Sequence, residues 1–367
     1  MTQAHRIECA DALTFLRSLP ESSVGLILTD PPYFKVKPHG WDRQWSKRDG
    51  FLDWLDTVAE QWARVLKPNG TLVCFAGGNP TGGATTAARV EVRLAERFDV
   101  VASCVWHKPG PSYAVTYGAD RLRTFIPMSE RAIICEHYGA DSFAKGEAGY
   151  AAKCDKLRSF VFEPLRAYLD GERERAGFTP EQCNLACGHR EKGGMAGRHY
   201  FSRSQWCLPT RKNYEALRAA FGPGSLPRPF DDLRREYDHL RREYDDLRRE
   251  YDHLRRPFDA EAGRHFTDVW TYPTVPARKG KHPCEKPRAM AEDLVRQCSR
   301  PGDVVLDTFA GSGVFLAAAA RLGRVAWGCD FQERWADATQ AAVVAAPVVT
   351  AAQDEAPDVL PGQLALL

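Results

Sequence analysis

The sequence predicts an α/β fold, a mostly parallel sheet with helices on both faces, interrupted by an inserted, mainly helical lobe. Three observations predict it. Short apolar runs alternate with amphipathic helical stretches over residues 1 to about 140, the same rhythm returns from about 266 to 345, and the segment between them is more basic, more aromatic and less regular. Strands separated by helices of this length pair in parallel through crossovers. One sheet split by an insertion accounts for both halves.

Val24 to Thr29 is a continuous apolar run and reads as a strand. Phe51 to Leu66 places Phe51, Trp54, Leu55, Val58, Trp62, Val65 and Leu66 at helical spacing, and Lys67-Pro68-Asn69-Gly70 stops that helix. Thr71 to Ala76 is the next strand, followed by a helix over Thr85 to Arg97 and strands at Val100 to Trp106 and Arg131 to Glu136. After the insertion, helices are expected at Pro287 to Ser299, Val314 to Leu322 and Gln332 to Val344. Strands are expected at Asp303 to Asp307 and Arg324 to Cys329. The tail, 346 to 367, is rich in Ala, Val and Pro and is expected to be loosely ordered.

The lobe, about 141 to 265, contains a seven-residue repeat bracketed by Pro229 and Pro257. Aromatics at 230, 237, 244 and 251 and leucines at 233, 240, 247 and 254 form one stripe flanked by Arg and Glu, the pattern of a heptad seam. A helix over 229 to 257 would be on the order of 40 Å long. It packs on its own domain, is a repeat-expanded spacer of no chemical importance, or serves as a self-association arm that makes a homodimer. Elsewhere in the lobe, short helices are expected at Thr179 to Ala186, Ser202 to Trp206 and Asn213 to Phe221.

Composition narrows the function classes. No apolar stretch approaches the roughly 20 residues that span a bilayer, and the first residues lack the apolar core of a secretory signal. A cytoplasmic protein without a membrane partner is expected. Eleven cysteines, most of them single within apolar or helical runs, read as reduced core thiols. Cys183, Cys187, His189, His199 and Cys207 lie close in sequence, yet their spacing fits no compact zinc pattern, so no metal is expected. Net charge is +2, but Lys145 to Arg218 holds 14 Lys or Arg against 9 Asp or Glu, an excess compatible with a phosphate backbone as partner.

Two short segments carry the chemistry. Asp30-Pro31-Pro32-Tyr33 follows the first buried strand, at the strand end where ligands of open α/β sheets bind. An exocyclic amine of adenine or cytosine is a poor nucleophile, because its lone pair is delocalised into the ring. Two acceptors on its N–H bonds, the Asp30 carboxylate and the Pro31 carbonyl, can free that pair, with proline fixing the loop and Tyr33 offering a face on which an extruded base stacks. The second segment, Asp307-Thr308-Phe309-Ala310-Gly311-Ser312-Gly313, is strand, glycine turn and helix start, an arrangement that lets a nucleoside-type cofactor approach backbone closely. Asp330 ends the following strand, 17 positions after Gly313, and is placed to accept bonds from ribose hydroxyls.

These segments, in this order around a basic lobe, resemble the DNA amino-methyltransferases that use S-adenosylmethionine, specifically the adenine-N6 branch of the circularly arranged β class. The resemblance covers about 1 to 140 and 266 to 345. It implies a Rossmann-like methyltransferase sheet whose catalytic half is 1–140 and whose cofactor-binding half is 266–345, with 141–265 as a target-recognition domain for double-stranded DNA. By position, Asp30, Pro31, Pro32 and Tyr33 form the catalytic loop. Phe309, Gly311 and Gly313 cradle the methionine portion of the cofactor, Asp307 and Ser312 belong to the same cofactor-binding segment, Asp330 holds the ribose, and Phe331 lies against the adenine. His282-Pro283-Cys284-Glu285-Lys286-Pro287 looks like the family's segment upstream of the glycine loop, which implies Lys286 near the cofactor carboxylate. Asp11 borders the cofactor or the target base.

Pro283-Cys284 invites comparison with cytosine-C5 methyltransferases, whose nucleophile is a cysteine after proline. The glycine motif follows this cysteine where that family has it first, which argues against the comparison. The stretch Gly194 to Trp206 resembles one in phage and bacterial adenine methyltransferases of restriction-modification or orphan type. It implies recognition contacts from Arg198, His199, Arg203, Ser204 and Gln205; the alternative is that they are surface polar residues of a packing subdomain. Adenine N6 and cytosine N4 need the same two acceptors, so the loop itself does not decide between them, and cytosine N4 stays the alternative; the resemblance implies adenine, since that branch has Asp rather than Ser where Asp30 stands.

Overall fold

A computed structural model of the chain describes residues 4–36, 39–77, 85–109, 125, 127–137, 150–203, 205–265, 267–276, 278 and 280–349. In chain order its elements are β1 (Arg6–Cys9), α1 (Ala12–Arg17), β2 (Val24–Thr29), α2 (Arg48–Val65), β3 (Leu66–Ala76), α3 (Thr86–Ala95), β4 (Asp99–His107) and β5 (Ser129–Glu136). Helices α4 (Tyr150–Val161), α5 (Glu163–Arg175), α6 (Pro180–Ala186), α7 (Arg211–Phe221) and α8 (Phe230–Tyr251) follow. The chain then returns through β6 (Val269–Thr271), α9 (Arg288–Cys298), β7 (Val304–Asp307), α10 (Val314–Arg321), β8 (Val325–Asp330) and α11 (Glu333–Ala345). The described residues form two compact units, one drawn from within Met1–Ala140 and Arg256–Leu367, the other from within Gly149–Arg255.

The first unit is built on one eight-stranded sheet of order β1-β8-β7-β2-β3-β5-β4-β6. All pairings are parallel except those of β5, which runs antiparallel to both β3 and β4. The sheet is mostly parallel, as the sequence leads one to expect, and β5 is its one inverted strand among the described residues. Every residue of β2 is buried, because its side chains feed two different cores, alternating from Leu26 to Leu28 beyond a register shift after Val24. Val24 and Ile27 pack with Leu55, Val58 and Trp62 of α2, while Leu26 and Leu28 pack with Leu294 of α9 and Phe315 of α10. Helices on both faces are the consequence. Helix α2 passes directly into β3, whose strand begins at Leu66, ahead of the predicted Thr71.

Strand β1, helix α1 and strand β6 are too short to leave a periodic signal, and the sequence reading omits them. Residues 256–265 belong to the sheet-bearing unit, ten residues earlier than the sequence boundary. They are fastened there by Asp259 N donating to Gln297 O at 3.0 Å and Gln297 Nε2 donating to His265 O at 2.8 Å.

The second unit has its own core of Leu165, Leu169, Tyr200, Trp206, Tyr214 and their neighbours. The heptad stripe is spent inside it. Phe230, Leu233 and Tyr244 are buried, and Tyr237, Leu240 and Leu247 pack partly buried on the same cluster. The ring of Phe162 lies 5.4 Å from Tyr237 and 5.6 Å from Tyr244. This part of the stripe packs on its own domain, one of the uses the repeat leaves open. The helix ends at Tyr251 in a short 3-10 turn, Asp252–Leu254, before the predicted stop at Pro257.

The expected helix over Ser202 to Trp206 does not form among the described residues. A π-helical turn, Ala196–Tyr200, precedes an irregular strip in which His199 O accepts Cys207 N at 2.8 Å and Tyr200 O accepts Trp206 Nε1 at 2.9 Å. Those bonds fold the strip back on itself instead of continuing the coil. The predicted tail lies outside the described residues from position 350.

Candidate active site

The parallel strands all point the same way, so their carboxyl ends gather on one edge of the sheet. That edge bears a cavity of about 680 Å³ whose walls include Asp30, Tyr33, Lys286, Phe309, Gly311 and Asp330. Strand β2 delivers the Asp30 loop, β7 the glycine turn and β8 the Asp330 end. Strand β5, because it is inverted, presents its amino end here and brings in Glu130.

The first wall is a buried ionic cluster. Asp30 Oδ1 accepts the Tyr33 hydroxyl at 2.6 Å, and Asp30 Oδ2 accepts the Lys286 ammonium. Tyr33 also lies 3.1 Å from Glu130 Oε2, and Lys108 pairs with Glu130 Oε1. Lys286 is 5% exposed and is packed within 5.1 Å of the centre of the Phe75 ring. Burial lowers its pKa, but Asp30 and Glu130 more than offset that and hold it above the usual lysine value. Burial pushes Asp30 up, and Lys286 pulls it partly back. Against the same burial, Lys286 and Lys108 hold Glu130 down at about 2. Burial and the two carboxylates raise Tyr33 well above its usual value, so its hydroxyl keeps its proton and donates.

The loop is fixed locally. Tyr33 N donates to Asp42 Oδ1 at 2.8 Å. A Cβ on Gly77 would stand 2.6 Å from the Tyr33 ring, so only glycine lets that ring sit against β3.

The second wall is the glycine turn. Gly311 and Gly313 have φ of +50° and +74°, values other residues rarely adopt. Gly311 N donates to Asp330 Oδ2 at 3.0 Å, and Gln332 N donates to Asp330 Oδ1 at 2.9 Å. Asp330 is thus clamped at the cavity edge, and burial raises its pKa. Phe331, beside it, is 55% exposed and lines the cavity. The ring of His282 covers Gly311, stacked 6.3 Å from Trp41 and edge-on 4.9 Å from Trp335. Burial, then Lys286 and Arg334, lower His282 to about 4, so the ring is neutral.

The expected residues take the following places. Lys286 stands on Asp30, its ammonium drawn to the buried carboxylate, and lines the same cavity as Phe309 and Gly311. Asp11 caps helix α1, its Oδ1 accepting Leu13 N at 3.0 Å and Thr14 N at 3.3 Å, and it still lines the cavity. Asp307, Ser312 and Gly313 are not among the lining residues. Asp307 instead accepts Thr29 Oγ1 at 2.7 Å and Phe309 N at 3.0 Å, tying the ends of β2 and β7 together. The sequence reading missed Glu130, Lys108, Trp41, Trp54 and His282. A Glu opening an otherwise apolar strand was the available signal for Glu130, but only the inversion of β5 gives it meaning.

In the second unit, Arg198, Arg203 and Gln205 are exposed on the strip after α6. His199 Nδ1 shares a hydrogen bond with Gln205 O at 3.0 Å, and Arg203 reaches Glu163 at 3.4 Å. Ser204 lies outside the described residues. Among the described residues no three His, Cys, Asp or Glu gather as a metal site would require, and no helix is long and apolar enough to cross a membrane.

Over 72 residues the chain is 38% identical to the type II methyltransferase M.HpaI of Haemophilus parainfluenzae, covering 20% of this chain and 23% of that one. Over 76 residues it is 37% identical to M2.DpnII of Streptococcus pneumoniae, covering 20% and 28%. The chain thus aligns with about a quarter of each of these relatives. Among solved structures, the cytosine-N4-specific PvuII DNA methyltransferase superposes with a TM-score of 0.49 at 14% identity, covering 93% of this chain and 87% of that one. The protein TTHA0409 of Thermus thermophilus superposes with a TM-score of 0.48 at 22% identity, covering 95% and 100%. A family model described as DNA methylase, of the N6 and N4 type, matches residues 24–341, which carry both the Asp30 loop and the glycine turn, and the chain belongs to that family.

Proposed function

We propose that this chain transfers a methyl group from S-adenosylmethionine to the N6 amine of adenine in duplex DNA. The observation that carries the proposal is the meeting, in one cavity, of the Asp30-Pro31-Pro32-Tyr33 loop with the Phe309–Gly313 turn and Asp330. The cavity suits the cofactor. Glycine at 311 takes a φ of +50° and leaves room for the His282 ring over the turn, the clamped Asp330 carboxylate faces ribose hydroxyls, and the exposed Phe331 ring is available to an adenine. Bound there, the cofactor supplies an electrophilic methyl on a sulfonium.

The protein's own part is to prepare the amine. Asp30 and the Pro31 carbonyl accept its two N–H bonds and localise its lone pair, and no covalent enzyme intermediate is required. Tyr33 and Lys286 keep the Asp30 carboxylate oriented. Burial of this cluster makes each charge count for more than it would in solvent. The base must leave the helix to reach the cavity, at a cost of about a few kcal/mol that phosphate contacts offset. Arg198, His199, Arg203, Ser204 and Gln205 are the proposed reading residues, supported by the exposure of Arg198, Arg203 and Gln205 on one hydrogen-bonded strip. The place of action follows from the substrate, the cytoplasm of a cell whose DNA lies there.

The test is transfer of labelled methyl to plasmid DNA, followed by digestion to nucleosides and chromatography. Label in N6-methyladenine is expected. Label in N4-methylcytosine would keep the chemistry and change the base, and absence of label from DNA would refute the proposal. Changing Arg203 and Gln205 to Ala is expected to alter the methylated sequence, and unaltered preference would remove that strip from recognition.

A further inference from the structure

Both oxygens of Asp30 are already engaged, Oδ1 by the Tyr33 hydroxyl and Oδ2 by the Lys286 ammonium. A base amine must therefore compete with donors that are present before it arrives. Each of those donors has a second acceptor within reach, and in both cases it is Glu130. Its Oε2 lies 3.1 Å from the Tyr33 hydroxyl and 3.3 Å from Lys286 Nζ. Lys108 pairs with the remaining oxygen, Oε1.

We propose that Glu130 is a positioning residue that receives the Lys286 ammonium and the Tyr33 hydroxyl when a base amine takes up the Asp30 carboxylate. The proposal rests on the role given to Asp30 above. Its physical basis is the cost of a buried charge. Lys286 is 5% exposed, and an ammonium that deep cannot leave one carboxylate without another to take it. With Lys108 behind Glu130, the cluster holds two positive and two negative groups before and after the exchange. The buried site therefore changes its hydrogen bonds without changing its charge.

The experiment is a cycle of Glu130→Gln, Lys286→Met and the double variant, with Glu130→Asp alongside. It reads the rate of methyl transfer to DNA and, separately, the Kd for S-adenosylmethionine without DNA. Glu130→Gln is expected to lower kcat at least tenfold with the cofactor Kd within twofold, and Glu130→Asp to recover at least threefold of that loss. Lys286→Met is slower than the parent, since Asp30 loses its counter-charge, but adding Glu130→Gln to it costs less than threefold because no ammonium remains to rehouse.

Equal losses in both backgrounds overturn the proposal. So does a cofactor Kd that weakens in step with kcat, or a Glu130→Asp variant no faster than Glu130→Gln. These last two criteria decide alone if Lys286→Met falls below detection. If Glu130→Gln does not fold, as read by thermal melting, Glu130→Asp is compared in the two Lys286 backgrounds instead. A parent that transfers no methyl to DNA refutes the role of Asp30 and this proposal with it, whereas an active parent with equal losses refutes this proposal alone.

Discussion

Asp307 offers a test that needs neither cofactor nor DNA. It is 1% exposed at the end of β7, and burial pushes its carboxyl from 3.8 up to about 7, against the bonds from Phe309 N and Thr29 Oγ1 that favour the ionised form. The folded state therefore keeps a proton that the unfolded chain releases near 3.8. Between those two values the folded state binds more protons than the unfolded, so stability falls as pH rises and levels off above about 7. At about 1.4 kcal/mol for each pH unit, the loss from pH 5 to 8 is about 3 kcal/mol. For a unit of this size that is a fall of about 6 to 12 °C in Tm. Asp307→Asn keeps an Oδ1 to accept Thr29 and Phe309 but has no proton to lose. Melting curves of parent and variant across this range are expected to converge at low pH and separate as pH rises, the variant being the more stable above pH 7. Two curves that decline in parallel would rule out a buried, protonated Asp307 as the source of the pH dependence.

Other perturbations probe the remaining parts. Gly313→Ala places a Cβ 2.8 Å from the Thr339 backbone at φ +74°. It is expected to cost about 2–4 kcal/mol in urea unfolding and to weaken cofactor binding, and an unchanged unfolding midpoint would contradict it. Leu233→Ala, at a site 0% exposed, is expected to destabilise the second unit by about 2–5 kcal/mol, read from Trp206 emission during unfolding. A change in solution mass with no loss of stability would instead return the heptad stripe to self-association. Cys284→Ser is expected to leave methyl transfer largely intact, and complete loss would bring back a cysteine nucleophile.

Local signals made much of this molecule legible. The continuous apolar run of β2 and the glycines after β7 mark strand ends, and in a parallel sheet strand ends share an edge. Asp30, Gly311 and Asp330 could thus be placed in one region from sequence alone. What escaped depends on direction and distance. Strand β5 has the same composition whichever way it runs, and its reversal is what carries Glu130 and its bond to Tyr33 into the site. Trp54 lies in the predicted core stripe of α2 but lines the cavity, because the face it shares ends beside Phe309, 5.7 Å away. The heptad stripe was ambiguous for a similar reason: periodicity defines an apolar face, and only tertiary packing on Phe162 and Trp206 says what covers it.

The account turns on the Asp30 carboxylate as acceptor for a base amine. Its most direct test is the single-turnover rate of labelled methyl transfer from S-adenosylmethionine to DNA by Asp30→Asn and Asp30→Ala, with cofactor affinity measured in parallel. A fall of about a hundredfold or more, at a cofactor Kd close to that of the parent, is the predicted result. Either variant methylating DNA as fast as the parent would contradict it.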